Sequence, residues 1–150
     1  MGTFEGYNAS NIIKYCSFDK LYLVDPYLPY IDAIGGLGNF SKETWNEIFK
    51  KVCERMGDKA EVIRSKSVDA AEHFEQETLD FVYLDGDHRP EEVKKDITAW
   101  FPKIKASGYI GGHDFSENEV QRGVTEWVID NPEYTGDVVF EANDWWICKR

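Results

Sequence analysis

The clearest strand in this sequence is Asp80-Phe81-Val82-Tyr83-Leu84, and Asp85-Gly86-Asp87-His88 follows it without a break. A short apolar run rich in aromatic and β-branched residues, bounded by a glycine turn, predicts a buried strand. The residues after it indicate a functional site, because two carboxylates this close repel each other unless a cation, a proton or an arginine compensates their charge. This stretch therefore joins a core strand to a polar strand end.

On both sides of this strand, apolar clusters alternate with helical patterns, which is typical of repeated strand–helix units and a mostly parallel sheet. Ser41 is expected to cap a helix that Gly57 ends. Strands are predicted at 21–24, 60–64, 80–84 and 108–112, helices at 8–16, 41–56, 67–74, 90–101 and 117–129, and an antiparallel hairpin at 138–140 and 145–148. We expect one α/β domain over residues 1–150.

Composition limits the partners. The chain has 150 residues, a formal net charge of −11 and no visible basic run, which argues against nucleic acid because phosphate binding needs clustered Lys and Arg. No stretch approaches the roughly 20 apolar residues of a membrane span, and the first residues are not expected to act as a signal peptide. Cys16, Cys53 and Cys148 are odd in number and far apart. Reduced thiols in a cytoplasmic protein are therefore expected.

Acids and histidines concentrate where predicted strands end. In an open α/β sheet, ligands bind outside the carboxyl ends of the strands. The residues at such ends are Asp25, Asp85, Asp87, His88, His113 and Asp114. We expect them to form one pocket, in which Asp87 or His88 removes a proton from a substrate hydroxyl. Asp25 reads equally well as a ribose ligand or a turn aspartate, and Asp87 could instead cap the next helix.

Four motifs together carry a resemblance to a known family. They are Gly2-Thr3-Phe4-Glu5-Gly6, Leu23-Val24-Asp25-Pro26-Tyr27, the 81–88 stretch, and Gly108-Tyr109-Ile110-Gly111-Gly112-His113-Asp114-Phe115. The chain resembles the class I S-adenosylmethionine-dependent methyltransferases, specifically the small O-methyltransferase-like group associated with sugar and macrolide tailoring. The resemblance implies a Rossmann-like three-layer α/β sandwich with a C-terminal antiparallel hairpin. It also implies methyl transfer from S-adenosylmethionine to a hydroxyl of a small molecule.

Site residues follow from the resemblance position by position. The cofactor-binding set that it implies is Gly2, Thr3, Gly6, Asp25, Ser67 and Asp85. Gly2 and Gly6 would approach the methionine part, Asp25 would hold the ribose, and Ser67 would lie near the adenine. Asp87 or His88 would be the catalytic proton acceptor. Asp85, His113 and Asp114 occupy the positions that hold Mg²⁺ in metal-dependent relatives, with a histidine replacing one acid.

The chain departs from the family pattern at its start. In the family a buried central strand precedes the glycine motif, whereas only Met1 precedes Gly2 here. The sequence therefore predicts an N-terminally truncated sheet with unpaired inner edges, which favours a homo-oligomer. The loop from Pro26 to Phe40 is expected to shape the acceptor pocket, with Tyr27 and Tyr30 stacking on a ring.

Two other functions stay open at this point. A truncated methyltransferase fold could act as a non-catalytic cofactor-binding or interaction module. The third hypothesis is a metal-dependent hydrolase that uses the acids and histidines at the strand ends, although no nucleophile–base pair supports it.

Overall fold

The computed structural model describes residues 1–29, 40–133 and 135–150, without the side chains of 135–137. The chain divides into two compact units, Met1–Ser67 and Val68–Arg150. The prediction of a single domain therefore stays a prediction. Tyr30 and most of the loop expected to shape an acceptor pocket lie outside the described residues.

The first unit is built on two parallel strands, β1 (Tyr22–Asp25) and β2 (Glu61–Arg64). Helix α1 (Tyr7–Tyr15) precedes β1, and α2 (Lys42–Met56) with a 3₁₀ turn (Gly57–Lys59) leads into β2. The hydroxyl oxygen of Ser41 accepts a hydrogen bond from the Thr44 backbone N–H at 3.1 Å. Gly57 ends α2 with a φ of 52°. Both helix boundaries are therefore confirmed.

The core of the first unit is small and aromatic. Its buried members are Ala9, Leu23, Tyr27, Trp45, Ile48, Val52 and Met56. Tyr27 has no exposed surface, and its ring lies 5.2 Å from that of Phe49. The expectation that Tyr27 stacks on a substrate ring is wrong, because its side chain is part of this core.

The second unit carries the four-stranded sheet. Its elements are α3 (Ser67–Ala71), β3 (Leu79–Leu84), α4 (Pro90–Trp100), a 3₁₀ turn (Phe101–Lys103), β4 (Ile104–Gly112), α5 (Asn118–Asp130), β5 (Thr135–Glu141) and β6 (Asp144–Lys149). The strand order is β3-β4-β6-β5. β3 and β4 are parallel, whereas β6 is antiparallel to both β4 and β5. The predicted parallel strands with a closing antiparallel hairpin are therefore confirmed.

Two boundaries differ from the sequence prediction. β4 begins at Ile104 rather than Gly108, since Ile104 is buried and pairs with Leu79 before a bulge shifts the register. α3 ends at Ala71 rather than Phe74. The N–H groups of residues 72–74 bind carbonyls three residues earlier, which is a tightening turn instead of an α-helix.

The sheet of the second unit has one buried face. Trp145 and Ile147 of β6 are 1% and 0% exposed, and they share the core with buried residues of α4 and α5. Trp146 lies on the other face, with its ring 5.6 Å from Phe81 and 5.7 Å from Tyr83. The two adjacent tryptophans therefore point to opposite faces, as strand alternation predicts.

The two sheets have edges that the described residues leave open. β1 pairs with β2 and β3 pairs with β4, and the described ladders include no second partner for either β1 or β3. One bond from the Gly2 N–H to the Val24 carbonyl reaches β1 from the N-terminus. No helix in the described ranges has the length and hydropathy needed to cross a membrane.

Candidate active site

The register of β3 and β4 brings two predicted site residues together. Leu84 pairs with Gly112, and the His113 N–H donates to the Leu84 carbonyl at 3.1 Å. Because the strands are parallel, Asp85 and His113 leave the sheet at the same edge. The expected convergence of these strand ends is observed within the second unit.

Gly112 is required for this convergence. It pairs with Leu84 on one side and Trp145 on the other. A Cβ atom at residue 112 would lie 2.8 Å from both Cζ2 and Nε1 of the Trp145 indole. It would also lie too close to the Leu84 carbonyl oxygen, so a side chain there would disturb the pairing of β4 with both β3 and β6.

Asp114 contacts three other residues of the site. Its Oδ1 atom lies 2.9 Å from Nδ1 of His113 and accepts a hydrogen bond from the Asn143 side-chain amide at 3.0 Å. Its Oδ2 atom lies 3.3 Å from Nε2 of His88. The backbone of Asp114 is left-handed, with a φ of 59°, a conformation that aspartate tolerates better than most residues.

His88 lies between two carboxylates. Nδ1 is 2.8 Å from Oε2 of Glu117, and Nε2 faces Asp114. About a third of each of the His88 and Glu117 side chains is exposed. Carboxylates only accept hydrogen bonds, so a ring protonated at one nitrogen directs its lone pair at a negative oxygen. A hydrogen-bond donor or a cation between Nε2 and Asp114 would remove this repulsion.

Asn143 holds the turn that supplies both carboxylates. Its backbone carbonyl accepts from the Phe115 N–H at 3.0 Å, and its side-chain oxygen accepts from the Ser116 N–H at 2.9 Å. Within the turn, the Glu117 N–H donates to the Asp114 carbonyl at 2.9 Å. The β5–β6 turn thereby fixes residues 114–117 beside His88.

Burial and charge act in opposite directions on the site residues. Burial raises the pKa of Asp85, and the nearby Asp114 charge adds to this, while His113 and His88 oppose it. Burial by itself would lower the pKa of His113, but the hydrogen bond and charge of Asp114, with Asp85 and Asp144, raise it overall. A carboxylate that is harder to ionise and a histidine that holds its proton are characteristic of functional clefts.

Tyr83 extends the network towards β6. Its hydroxyl donates to Oδ1 of Asp144 at 2.9 Å, and Asp144 lies 3.9 Å from Nε2 of His113. Burial, followed by the bond to Asp144, raises the pKa of the Tyr83 phenol. Tyr83 is therefore a neutral hydrogen-bond donor at physiological pH.

Asp87 is held by its neighbour Arg89. The guanidinium Nε lies 3.0 and 3.1 Å from the two Asp87 oxygens, and a terminal nitrogen lies 2.6 Å from Oδ2. Burial alone would raise the pKa of Asp87, but these bonds lower it. A carboxylate fixed in this way is a weaker base than its place in the motif suggests.

A small cavity lies behind the strand ends and is lined in part by Asp85, His88, His113 and Trp145. The Trp145 side chain is 1% exposed, and its indole N–H has no hydrogen-bond acceptor within the described part of the chain. The cavity therefore has an acidic rim and a buried donor in its wall.

Residues predicted to bind the methionine and ribose lie in the first unit. The Asp25 carboxylate is 8% exposed and accepts from the Phe4 N–H at 3.0 Å and the Tyr27 N–H at 2.7 Å. It ties the Gly2–Gly6 loop to the end of β1, and the Thr3 hydroxyl adds a bond of 3.4 Å to the Val24 carbonyl. Gly6 caps α1 with a φ of 76° and without a side-chain hydrogen bond. Ser67 is the first residue of α3.

Sequence reasoning missed Glu117, Asn143, Trp145 and Arg89 as site residues. The feature that could have identified Glu117 is its place at the start of a predicted helix, shortly after His113-Asp114. Asn143 lies in the turn of a hairpin that pairs with β4 only through long-range contacts, so local sequence gave no signal for it.

A family model described as a methyltransferase domain matches residues 1–115. The chain belongs to this methyltransferase-domain family. None of the curated proteins matches it significantly by sequence.

Solved structures show the same fold. A protein of Corynebacterium glutamicum aligns with a TM-score of 0.67 at 13% identity, over 96% of this chain and 67% of that one. The O-methyltransferase NovP aligns with a TM-score of 0.62 at 12% identity, over 87% and 60%. Fibrillarin of Aeropyrum pernix, solved with bound S-adenosyl-L-methionine, aligns with a TM-score of 0.61 at 14% identity, over 100% and 64%.

These alignments confirm the Rossmann-like α/β methyltransferase fold. The chain spans 60–67% of the length of the three proteins. Other similar structures carry the name of rRNA methylases. Fold likeness therefore does not separate a small-molecule acceptor from RNA.

The raised pKa of His113 predicts how stability depends on pH. Its favourable contribution is complete below the ordinary histidine pKa of 6.5 and is lost as the pH rises through the raised value. In a metal-free buffer, the free energy of unfolding of the wild type should therefore fall relative to that of His113→Asn as the pH rises above 6.5. Urea unfolding at several pH values measures the difference.

His73→Asn is the matched control, since His73 is exposed and forms no ion pair within the described residues. Parallel curves for the wild type and His113→Asn would contradict the assigned pKa shift.

Proposed function

We propose that this chain is part of an enzyme that binds S-adenosylmethionine and transfers its methyl group to a hydroxyl of a small molecule, with a sugar as the leading candidate. The observation that carries the proposal is an imidazole, that of His88, held 2.8 Å from a carboxylate at the strand ends of a methyltransferase-family fold. A positioned imidazole is the side chain that most often removes a proton from a substrate hydroxyl.

The cofactor side of the proposal rests on the first unit. Gly2, Thr3 and Gly6 form a tight loop against the end of β1, and Gly6 leaves the first turn of α1 without a side-chain cap. Asp25 would accept hydrogen bonds from the ribose with the lone pairs that the Phe4 and Tyr27 N–H groups leave. Ser67 and Asp85 complete the proposed set.

S-adenosylmethionine supplies a methyl group on a positively charged sulfur, so transfer requires an activated oxygen and no redox partner. Between the two catalytic candidates, the contacts favour His88 over Asp87 as proton acceptor. Nδ1 of His88 is engaged by Glu117, so Nε2 would be the atom that takes the hydroxyl proton, with the hydroxyl replacing the longer contact of Nε2 to Asp114. Bound S-adenosylmethionine would supply the methyl group, and His88 would hold the proton that the hydroxyl gives up.

Asp85, His113 and Asp114 are proposed to hold a divalent cation. Each can offer one ligand atom, and these atoms lie within 4.8 Å of one another. Two carboxylates with one imidazole fit a borderline metal such as Mn²⁺ better than Mg²⁺, which prefers oxygen ligands. Such a cation would polarise the acceptor oxygen and offset the Asp85 and Asp114 charges.

A small acceptor is favoured over RNA because of charge. The net charge is −11, and the guanidinium nearest the site, Arg89, is engaged by Asp87. A nucleic-acid backbone would have to approach an acidic rim. The three free cysteines fit the proposed cytoplasmic location.

Calorimetric titration of the chain with S-adenosylmethionine tests the cofactor assignment. Asp25→Ala should weaken binding about 10- to 100-fold, because hydrogen bonds to a charged group contribute about 1.5–3 kcal/mol. Asp19→Ala changes an exposed acid of the same unit and should leave affinity unchanged.

Since Asp25 also binds two backbone N–H groups, Asp25→Asn serves as a second variant that preserves the shape. Wild-type affinity in both folded Asp25 variants would remove the ribose role. Binding without turnover on any hydroxyl acceptor would favour a non-catalytic module.

Turnover separates the two candidate bases. His88→Ala should lower kcat about 10²- to 10⁴-fold, the usual contribution of a positioned base. Asp87→Asn should have a much smaller effect, because the Asp87 carboxylate is neutralised by Arg89. The opposite ranking in a methyl-transfer assay would assign the base to Asp87.

Metal preference follows from the donor set. Mn²⁺ should bind more tightly than Mg²⁺ in calorimetry, and Asp85→Asn should weaken both. Asp80→Asn is the control, because its carboxylate is 84% exposed and pairs with Lys105 instead. Tighter Mg²⁺ binding than Mn²⁺ binding would show that His113 is not a ligand.

A further inference from the structure

We infer that Glu117 is a positioning residue that holds His88 through a protonated Nδ1 and turns Nε2 towards the Asp114 carboxylate, where an acceptor hydroxyl would have to enter. This inference deepens the proposed function and rests on it, but its structural part can be measured without turnover. The distance that carries it is the 2.8 Å between Oε2 of Glu117 and Nδ1 of His88.

The two contacts of the imidazole are unequal. Nδ1 is 2.8 Å from Glu117, whereas Nε2 is 3.3 Å from Asp114. Asp114 also accepts from His113 and Asn143 on its other oxygen. A single ring proton is therefore best placed on Nδ1, where its acceptor is closer and has fewer competing donors. Nε2 then faces Oδ2 of Asp114, so an acceptor hydroxyl would have to replace this contact before His88 could take its proton.

The Glu117 carboxylate does not cap the helix that it precedes. It occupies the N-cap position of α5, with a φ of −80° and a ψ of 129°, yet it makes no side-chain cap hydrogen bond. Ser, Thr, Asp and Asn are the residues that cap efficiently, and glutamate is not among them. Its role at this position is therefore explained by the imidazole rather than by helix capping.

The backbone around Glu117 is fixed from two directions. The Glu117 N–H donates to the Asp114 carbonyl, and the preceding two N–H groups, of Phe115 and Ser116, bind Asn143. His88 itself directly precedes Arg89, the N-cap residue of α4, which begins at Pro90. The ring and the carboxylate thus come from separate loops with little freedom to drift apart, which positioning of a base requires.

Side-chain ¹⁵N NMR tests the inference directly, because the chain has three histidines. In metal-free buffer at a pH where the rings are neutral, His88 should be the Nδ1–H tautomer. Glu117→Ala should shift its nitrogen resonances towards a tautomer mixture. Glu117→Gln should preserve the tautomer, since the amide oxygen can still accept the Nδ1–H. His73 provides the exposed internal reference.

Kinetics provide the second readout. Glu117→Ala should lower kcat about 10- to 100-fold, the usual loss when a supporting carboxylate is removed, with KM for S-adenosylmethionine unchanged. Glu117→Gln should lose less. Glu119→Ala removes a nearby exposed acid from the same helix start and should match the wild type.

An Nε2–H tautomer in the wild type, or unchanged ¹⁵N shifts in Glu117→Ala, would overturn the inference. Absence of methyl transfer in the wild type would instead count against the proposed function, and the tautomer would still decide the role of Glu117. If Glu117→Ala does not fold, the milder Glu117→Gln must retain the tautomer and reduce kcat for the inference to stand.

Discussion

The candidate site depends on one backbone alignment, the pairing of Gly112 with Leu84 on one side and Trp145 on the other. This pairing fixes where β3 and β4 end, and therefore where Asp85 and His113 leave the sheet. It is possible only because residue 112 has no side chain, so the Trp145 indole can lie against the strand. A shift of one residue in either ladder would turn the strand-end side chains to opposite faces.

Electrostatic compensation is the second constraint. The chain carries 28 acidic residues against 17 basic ones, and several of the acids meet at one strand-end rim. Two histidines, rather than lysine or arginine, face Asp114 there. Asp114 also adopts a left-handed backbone, which costs on the order of 1–3 kcal/mol unless its surroundings offset it. The bonds that Asn143 makes to the 114–117 turn provide that support.

Local sequence predicted the parts of this structure that local physics determines. The strand at 80–84, the cap at Ser41 and the opposite orientations of Trp145 and Trp146 follow from periodicity and hydrogen-bonding preference. The grouping of Asp85, His113 and Asp114 follows from the rule that parallel strands end at one edge. Tyr27 was wrongly expected to stack on a substrate ring, because a loop sequence does not indicate which of its aromatic side chains is buried in the core. Glu117 and Asn143 were missed because their roles arise only when a turn and a distant hairpin meet.

Either protons or a metal ion can compensate the excess negative charge at this strand-end rim. Burial raises the pKa of Asp85 and the surrounding carboxylates raise that of His113, so both groups hold a proton more readily here than they would in water. A cation bound by these three residues would need a deprotonated imidazole nitrogen and two ionised carboxylates, so it would displace those protons. His88 is engaged on its Nδ1 side by Glu117 and is not one of the three ligands. Its orientation can therefore be set by the fold whether the neighbouring charge is balanced by protons or by a metal.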